Sequence, residues 1–148
     1  MFTTHSAQET RALGARLAAL LNPGDTVLLQ GEMGAGKSEF ARGVARGLGI
    51  MGPVPSPSFT ILNAYDEGRC PLYHFDWYRV HDPDEIGEMG FEEMLNGDGI
   101  ALIEWSQRAE DYVPERVLKV GIRAVDEETR EITLTPYGGF PFGEDQLK

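Results

Sequence analysis

Residues Gly31-Glu32-Met33-Gly34-Ala35-Gly36-Lys37-Ser38 fit G-x-x-x-x-G-K-[ST] at every fixed position. Glycines at these places let the main chain curl until its N–H groups face one anion, in conformations that a Cβ would penalise. In such a cradle a lysine at position 37 reaches the β- and γ-phosphates of a nucleotide, and the hydroxyl of Ser38 ligates Mg²⁺. The bland alternative is a glycine-rich turn followed by a chance Lys-Ser pair. Context weighs against it. The short apolar run Thr26-Val27-Leu28-Leu29-Gln30 reads as a buried strand directly before the glycines, and a helix starts directly after them. That helix would turn its unpaired N–H groups and positive dipole end toward the same phosphate.

A nucleotide-bound metal calls for a carboxylate on a neighbouring strand. Leu102-Ile103-Glu104 places an acid at the end of the apolar run Ile100-Ala101-Leu102-Ile103, where ligands gather in α/β sheets. Most strands of this kind end in Asp, so Glu104 departs from the common form, and its other reading is an acid marking where the strand emerges into water. Asp76 closes a second apolar run, Tyr73-His74-Phe75-Asp76. It would orient the attacking water, complete the Mg²⁺ shell, or simply end its strand. His74 reads as a packed strand residue. His5 and His81 lack metal-like spacing, and Cys70 stands alone, which sets zinc and thiol chemistry aside. Ser56, Ser58 and Thr60 bring hydroxyls to a proline-rich loop after the cradle helix. A γ-phosphate sensor and a plain solvated loop both fit them.

The elements that must carry these groups follow from periodicity. Ser6-Ala7-Gln8-Glu9 has the form of a capping box, and Leu13, Leu17, Leu20 and Leu21 follow at helical spacing until Asn22-Pro23-Gly24. Phe40, Ala41, Val44, Ala45 and Leu48 line one face of the cradle helix, which should stop near Gly49. Phe59 to Tyr65 and Pro71 to Phe75 read as a hairpin, and Asp82-Pro83 opens a helix expected to run to about Leu95. After an Asn96-Gly97-Asp98-Gly99 turn and the strand ending at Glu104, two more strands alternate Leu118, Val120, Ile122 and Ile132, Leu134. The pattern is mixed α/β, one sheet flanked by helices. It divides into a domain over residues 1–136 and a glycine-bearing tail over residues 137–148 expected to be partly disordered.

The chain has 148 residues, with 41% hydrophobic and 25% charged, as one soluble domain would. Thirteen Lys and Arg against twenty-four Asp and Glu leave a net charge of −11. Such a balance argues against direct nucleic-acid binding and suits partners with basic patches. The start lacks the segments of a signal peptide and no apolar run is long enough to cross a membrane, so a cytoplasmic location is expected.

The cradle, Ser56-Pro57-Ser58-Phe59-Thr60, Tyr73-His74-Phe75-Asp76-Trp77-Tyr78-Arg79 and Ile103-Glu104-Trp105 stand in the order found in the TsaE family, and the chain resembles that family from about Ala7 to Thr135. TsaE is the bacterial ATPase that supports threonylcarbamoyladenosine formation on tRNA. The resemblance implies a P-loop NTPase-like three-layer sandwich around a mixed, largely parallel sheet. It implies ATP and Mg²⁺ as ligands, with Gly31, Met33, Gly34, Ala35, Gly36, Lys37, Ser38 and Glu39 around the nucleotide and Ser38 and Glu104 on the metal. Lys37, Asp76 and Glu104 would serve hydrolysis. Ser56, Ser58 and Thr60 would form a first switch and the stretch from His74 to Arg79 a second, with Trp105 tied to function beside the metal carboxylate. Arg130 would approach the nucleotide, and Thr10 would lie near the base. The implied partner is a heterodimer of TsaB-like and TsaD-like proteins, which carries out the transfer and meets the tRNA. Ser38 and Ser58 stand where Thr is common, and Trp77 where Leu is common. Two other readings of the cradle are a small-molecule kinase and a nucleotide-gated scaffold in which hydrolysis is incidental.

Overall fold

Short β-branched and apolar runs separated by glycine turns can bury both faces only inside a sheet covered on each side. The computed structural model, which describes residues 1–57, 60–95 and 97–148, shows such a sheet. The elements are β1 (Phe2–Thr4), α1 (Ala7–Ala18), β2 (Thr26–Gln30), α2 (Lys37–Gly47), β3 (Leu62–Tyr65), β4 (Leu72–Asp76), α3 (Asp84–Glu88), β5 (Ile100–Glu104), β6 (Val117–Ala124) and β7 (Arg130–Tyr137). Short 3₁₀ turns cover Phe91–Met94, Ser106–Tyr112 and Glu144–Leu147. The seven strands lie in the order β1-β7-β6-β2-β5-β4-β3. The four central strands are parallel, and antiparallel strands close both edges, β3 on β4 and the pair β7 and β1 on β6. The sheet is mixed α/β with two covered faces, as the sequence pattern and the resemblance imply.

Side chains alternate between the two faces with period two. Leu72 on β4 and Ile100 and Leu102 on β5 join the core beneath α1 and α2, whereas Phe75, Ala101 and Ile103 face the second core with Ile86, Leu95 and Ala109. His74, Asp76 and Glu104 continue the first set by the same alternation, so two strands that are apolar at their starts turn ionisable at their ends, toward α2. Parallel register sets Asp76 directly opposite Glu104.

α1 and α2 pack without side chains between them at one crossing. A Cβ on Gly43 would stand 2.0 Å from the carbonyl oxygen of Arg11, and one on Gly14 would stand 2.5 Å from that of Phe40. The crossing seats α2, and with it Lys37 and Ser38 in its first turn. At the start of α1, Ser6 Oγ accepts the N–H of Glu9 at 3.1 Å, but the Glu9 carboxylate accepts from His5 rather than from Ser6, so the box is closed one residue early.

Three differences from the sequence reading have identifiable causes. β1 escapes periodicity because three residues carry no pattern, and pairing with β7 makes it a strand. The helix expected from Asp82 to Leu95 stops at Glu88, because Gly90 takes a left-handed φ of 74° and the chain resumes as a 3₁₀ turn. The expected first hairpin strand begins at Leu62, just after Ile61 at a positive φ of 68°; Ser58 and Phe59 lie outside the described residues, as does Asn96 of the expected turn. The tail over residues 137–148 carries core residues. Phe140 and Leu147 are buried in the core shared with α1, and the N-terminal ammonium pairs with Glu144 at 2.6 Å.

Gly43→Ala pushes a Cβ into main chain that no rotamer change can relieve. It should lower the unfolding free energy by about 1–3 kcal/mol despite the better helix propensity of alanine. Gly143→Ala, whose Cβ meets nothing within 4 Å, should stay within about 0.5 kcal/mol of wild type in the same urea titration.

Candidate functional site

Between β2 and α2 the chain makes a turn in which Gly34 and Gly36 hold φ of 80° and 107°, angles that exclude most side chains. Gly36 caps α2, and Lys37 and Ser38 open it. The turn is braced from the far side of the sheet. Arg130, the first residue of β7, donates from Nε to the carbonyl of Ala35 at 2.8 Å, and its Nη1 grips the carbonyls of Asp126 at 2.8 Å and Thr129 at 3.0 Å. One guanidinium thus ties the β6–β7 connection to the cradle.

A cleft of about 450 Å³ opens beside this turn, lined by Met33, Gly34, Gly36, Lys37, Ser38, Glu39, Ser56, Asp76, Glu104, Trp105 and Arg130. Most of the residues singled out in the sequence therefore share one wall or another of a single cleft, although they span positions 33 to 130. Thr10 does not line it. It lies in an adjoining hollow of about 260 Å³ with Gly36, Glu39 and Arg130, and its Oγ1 is 2.7 Å from that of Thr4. Gly31 and Ala35 line a larger cleft of about 730 Å³ on the opposite side of the turn, along the ends of β6 and β7. That cleft lacks Lys37, Asp76 and Glu104, so the buried charges belong to the smaller one. Thr60 Oγ1 donates to Asn63 Oδ1 at 2.8 Å away from the cleft, and Ser58 falls outside the described residues.

Charges inside the cleft are buried and close together. Lys37, Asp76 and Glu104 are 7%, 5% and 4% exposed. Lys37 Nζ stands 3.9 Å from Glu104 Oε1 and 4.4 Å from the centre of the Trp105 ring, so its positive charge is met by a carboxylate and an aromatic face. Glu104 Oε2 is 2.7 Å from Nε2 of His74. Asp76 accepts the main-chain N–H of Tyr78 at 2.9 Å. Burial raises the Asp76 carboxyl above its ordinary value; the Tyr78 N–H works against the rise, and the negative charge of Glu104 adds to it.

Trp105 follows Glu104 at φ 59° and ψ 39°, a left-handed conformation that is costly for an aromatic residue. The turn swings its ring back over the cleft and against Tyr78, with centroids 4.8 Å apart, and the guanidinium of Arg108 lies 5.4 Å from the Tyr78 ring. The sequence reads His74 as a packed strand residue and the resemblance places it at the start of the second switch, with no tie to Glu104. A lone histidine in an apolar strand, thirty positions from its partner, carries no local pattern that would reveal the bond to Glu104.

Hard oxygen donors from Ser38 and Glu104, with Asp76 opposite, suit Mg²⁺ rather than a soft metal. Among the described residues no group of three His, Cys, Asp or Glu could hold a metal by itself. Among them, too, no helix is long and apolar enough to cross a membrane.

Known proteins resemble this chain in both sequence and fold. The sequence profile described as threonylcarbamoyl adenosine biosynthesis protein TsaE matches residues 4–132. The tRNA threonylcarbamoyladenosine biosynthesis protein TsaE of Bacillus subtilis (strain 168) is 42% identical over 91% of this chain and 84% of its own. That of Treponema pallidum (strain Nichols) is 39% identical over 88% and 96%. A crystal structure of Bacillus subtilis YdiB superposes with a TM-score of 0.81 at 38% identity, covering 93% of this chain and 84% of the other.

The raised Asp76 carboxyl has a stability consequence. The folded protein holds that proton to higher pH than the unfolded chain, so ionisation opposes folding. The loss is absent below about pH 3.8, the ordinary value, and complete above the raised one. Asp76→Asn keeps an oxygen for the Tyr78 N–H and removes the loss. In metal-free buffer it should melt above wild type at pH 7, with the gap closing toward pH 3.8; a gap that is constant or reversed contradicts the assignment.

Proposed function

The chain belongs to the TsaE family, and so to the biosynthesis of threonylcarbamoyladenosine on tRNA; within that process we propose that it binds ATP with Mg²⁺ and hydrolyses it. On this reading it acts on a TsaB-like and TsaD-like partner complex and leaves the tRNA to those partners. The observation that carries the proposal is the convergence of Lys37, Ser38, Asp76 and Glu104 on one cleft at the N-terminus of α2.

The N–H groups of the Gly34–Ser38 turn and the positive end of α2 receive the phosphate tail. Lys37 Nζ, lying between Glu104 and Trp105, reaches the β- and γ-phosphates and offsets charge that grows on the leaving diphosphate. Ser38 Oγ and the Glu104 carboxylate are the side chains that would hold Mg²⁺. When bound, the ion supplies further neutralisation of phosphate charge. Asp76, fixed by the Tyr78 N–H and opposite Glu104, accepts a hydrogen bond from the attacking water and orients it toward the γ-phosphate. The division into a catalytic domain over residues 1–136 and a tail over 137–148 belongs to the same reading, with the tail's Phe140 and Leu147 serving the core rather than the cleft.

The net charge of −11 supports assigning tRNA contact to the partners. Ser56 on the cleft wall and the Asp76–Arg79 stretch beside Trp105 are the segments by which a partner would complete the site.

Calorimetry with ATP and Mg²⁺ should detect binding that Lys37→Ala weakens about 10- to 100-fold, the worth of a charge-assisted contact. With labelled ATP the label should appear as free phosphate, faster in the presence of the TsaB–TsaD complex. Label in a small-molecule acceptor would favour a kinase. An unchanged rate with and without the complex would remove the partner-driven mechanism. Modification that survives in Glu104→Ala while being lost in Lys37→Ala would favour a scaffold that only binds nucleotide.

A further inference from the structure

His74 lies within β4 with 2% of its surface exposed. An imidazole in such a place withdraws two ring nitrogens from water, and among the described residues Nδ1 has no hydrogen-bond partner. The other nitrogen, Nε2, is 2.7 Å from Oε2 of Glu104. An ionised carboxylate only accepts hydrogen bonds, so the proton between them belongs to Nε2. Among the described residues the ring hydrogen-bonds to Glu104 alone, and the fold tolerates an unsatisfied buried atom to keep that bond.

The bond crosses the sheet on a diagonal. The Cα partner of His74 on β5 is Leu102, and Glu104 pairs with Asp76, so the imidazole reaches one pair along on the same face. It makes the two oxygens of Glu104 unequal. Oε2 is tied to the strand next door, and Oε1 lies on the Lys37 side at 3.9 Å from Nζ. A glutamate side chain otherwise samples several rotamers, and each one that turns away from the cradle dilutes the arrangement that serves it.

We propose that His74 is a positioning residue of the nucleotide–metal cleft: its Nε2–H holds Oε2 of Glu104 and thereby presents Oε1 as the oxygen that serves the metal ion of the bound nucleotide. The proposal rests on the reading of Glu104 as a Mg²⁺ ligand. Partners in the outer shell of a metal ligand commonly change metal affinity 10- to 100-fold when removed.

Two calorimetric titrations on the full chain test it, Mg²⁺ into the ADP-loaded protein and ADP into the protein in EDTA. His74→Leu keeps bulk in the strand and removes the donor. It should weaken Mg²⁺ about 10- to 100-fold and leave metal-free ADP binding near wild type. His74→Gln, whose amide N–H can take the place of Nε2–H, should recover most of the loss. Glu104→Gln is measured beside them. If Glu104→Gln leaves Mg²⁺ affinity unchanged, the metal reading of Glu104 fails and the positioning role falls with it. If Glu104→Gln weakens Mg²⁺ and His74→Leu does not, the positioning role alone is overturned. Equal losses of Mg²⁺ and metal-free ADP binding in His74→Leu, or no recovery in His74→Gln, would mark His74 as structural and overturn the proposal as well.

Discussion

A lysine ammonium and two carboxylates, each more than nine-tenths buried, meet in one cleft, and the rest of the fold is organised around making that arrangement tolerable. Buried charges are expensive unless each finds opposite charge or hydrogen bonds. Lys37 has the Glu104 carboxylate and the face of Trp105; Glu104 has His74; Asp76 has the Tyr78 N–H and keeps its proton more readily than an exposed acid does. Pairwise contacts of this kind work only if three separate segments arrive within ångströms of one another. The sheet and the two helices above it supply that accuracy.

Register does most of the placing. With β4 and β5 parallel and Asp76 opposite Glu104, the last residues of both strands project from one face, and the same alternation puts their apolar predecessors under α1 and α2. A slip by one residue in either strand would turn its acid into the opposite core and exchange its apolar residues between the two cores. The helices fix the other half of the cleft. Gly14 and Gly43 let α1 and α2 touch main chain to main chain, which sets the height of the first turn of α2 above the strand ends. Arg130 then holds the glycine turn from β7, so the cradle is bound on both flanks.

The cleft also has a physical connection to the surface. Trp105 pays for a left-handed backbone and in return lies between the Lys37 ammonium and the ring of Tyr78, which is 40% exposed and faces Arg108. Strain of this kind collects at functional sites because the surrounding contacts hold it in place. A contact made at Tyr78 or Arg108 would therefore bear, through one ring, on the Lys37 ammonium.

Much of this was legible in the chain itself. The glycine cradle, the apolar face of α2 and the doubly buried strand ending at Glu104 are local patterns, written within a dozen residues by steric and solvation rules that need no distant partner. Elements that depend on distant partners were not legible. β1 is a strand because β7 lies beside it, and Phe140 and Leu147 near the C-terminus belong to the core under α1. The site divides the same way. Residue types and spacing named Lys37, Ser38, Asp76 and Glu104, but which of them touch, and that His74 grips Glu104, was decided by strand register and helix crossing. Those are distances between segments far apart in sequence, and no local pattern encodes them.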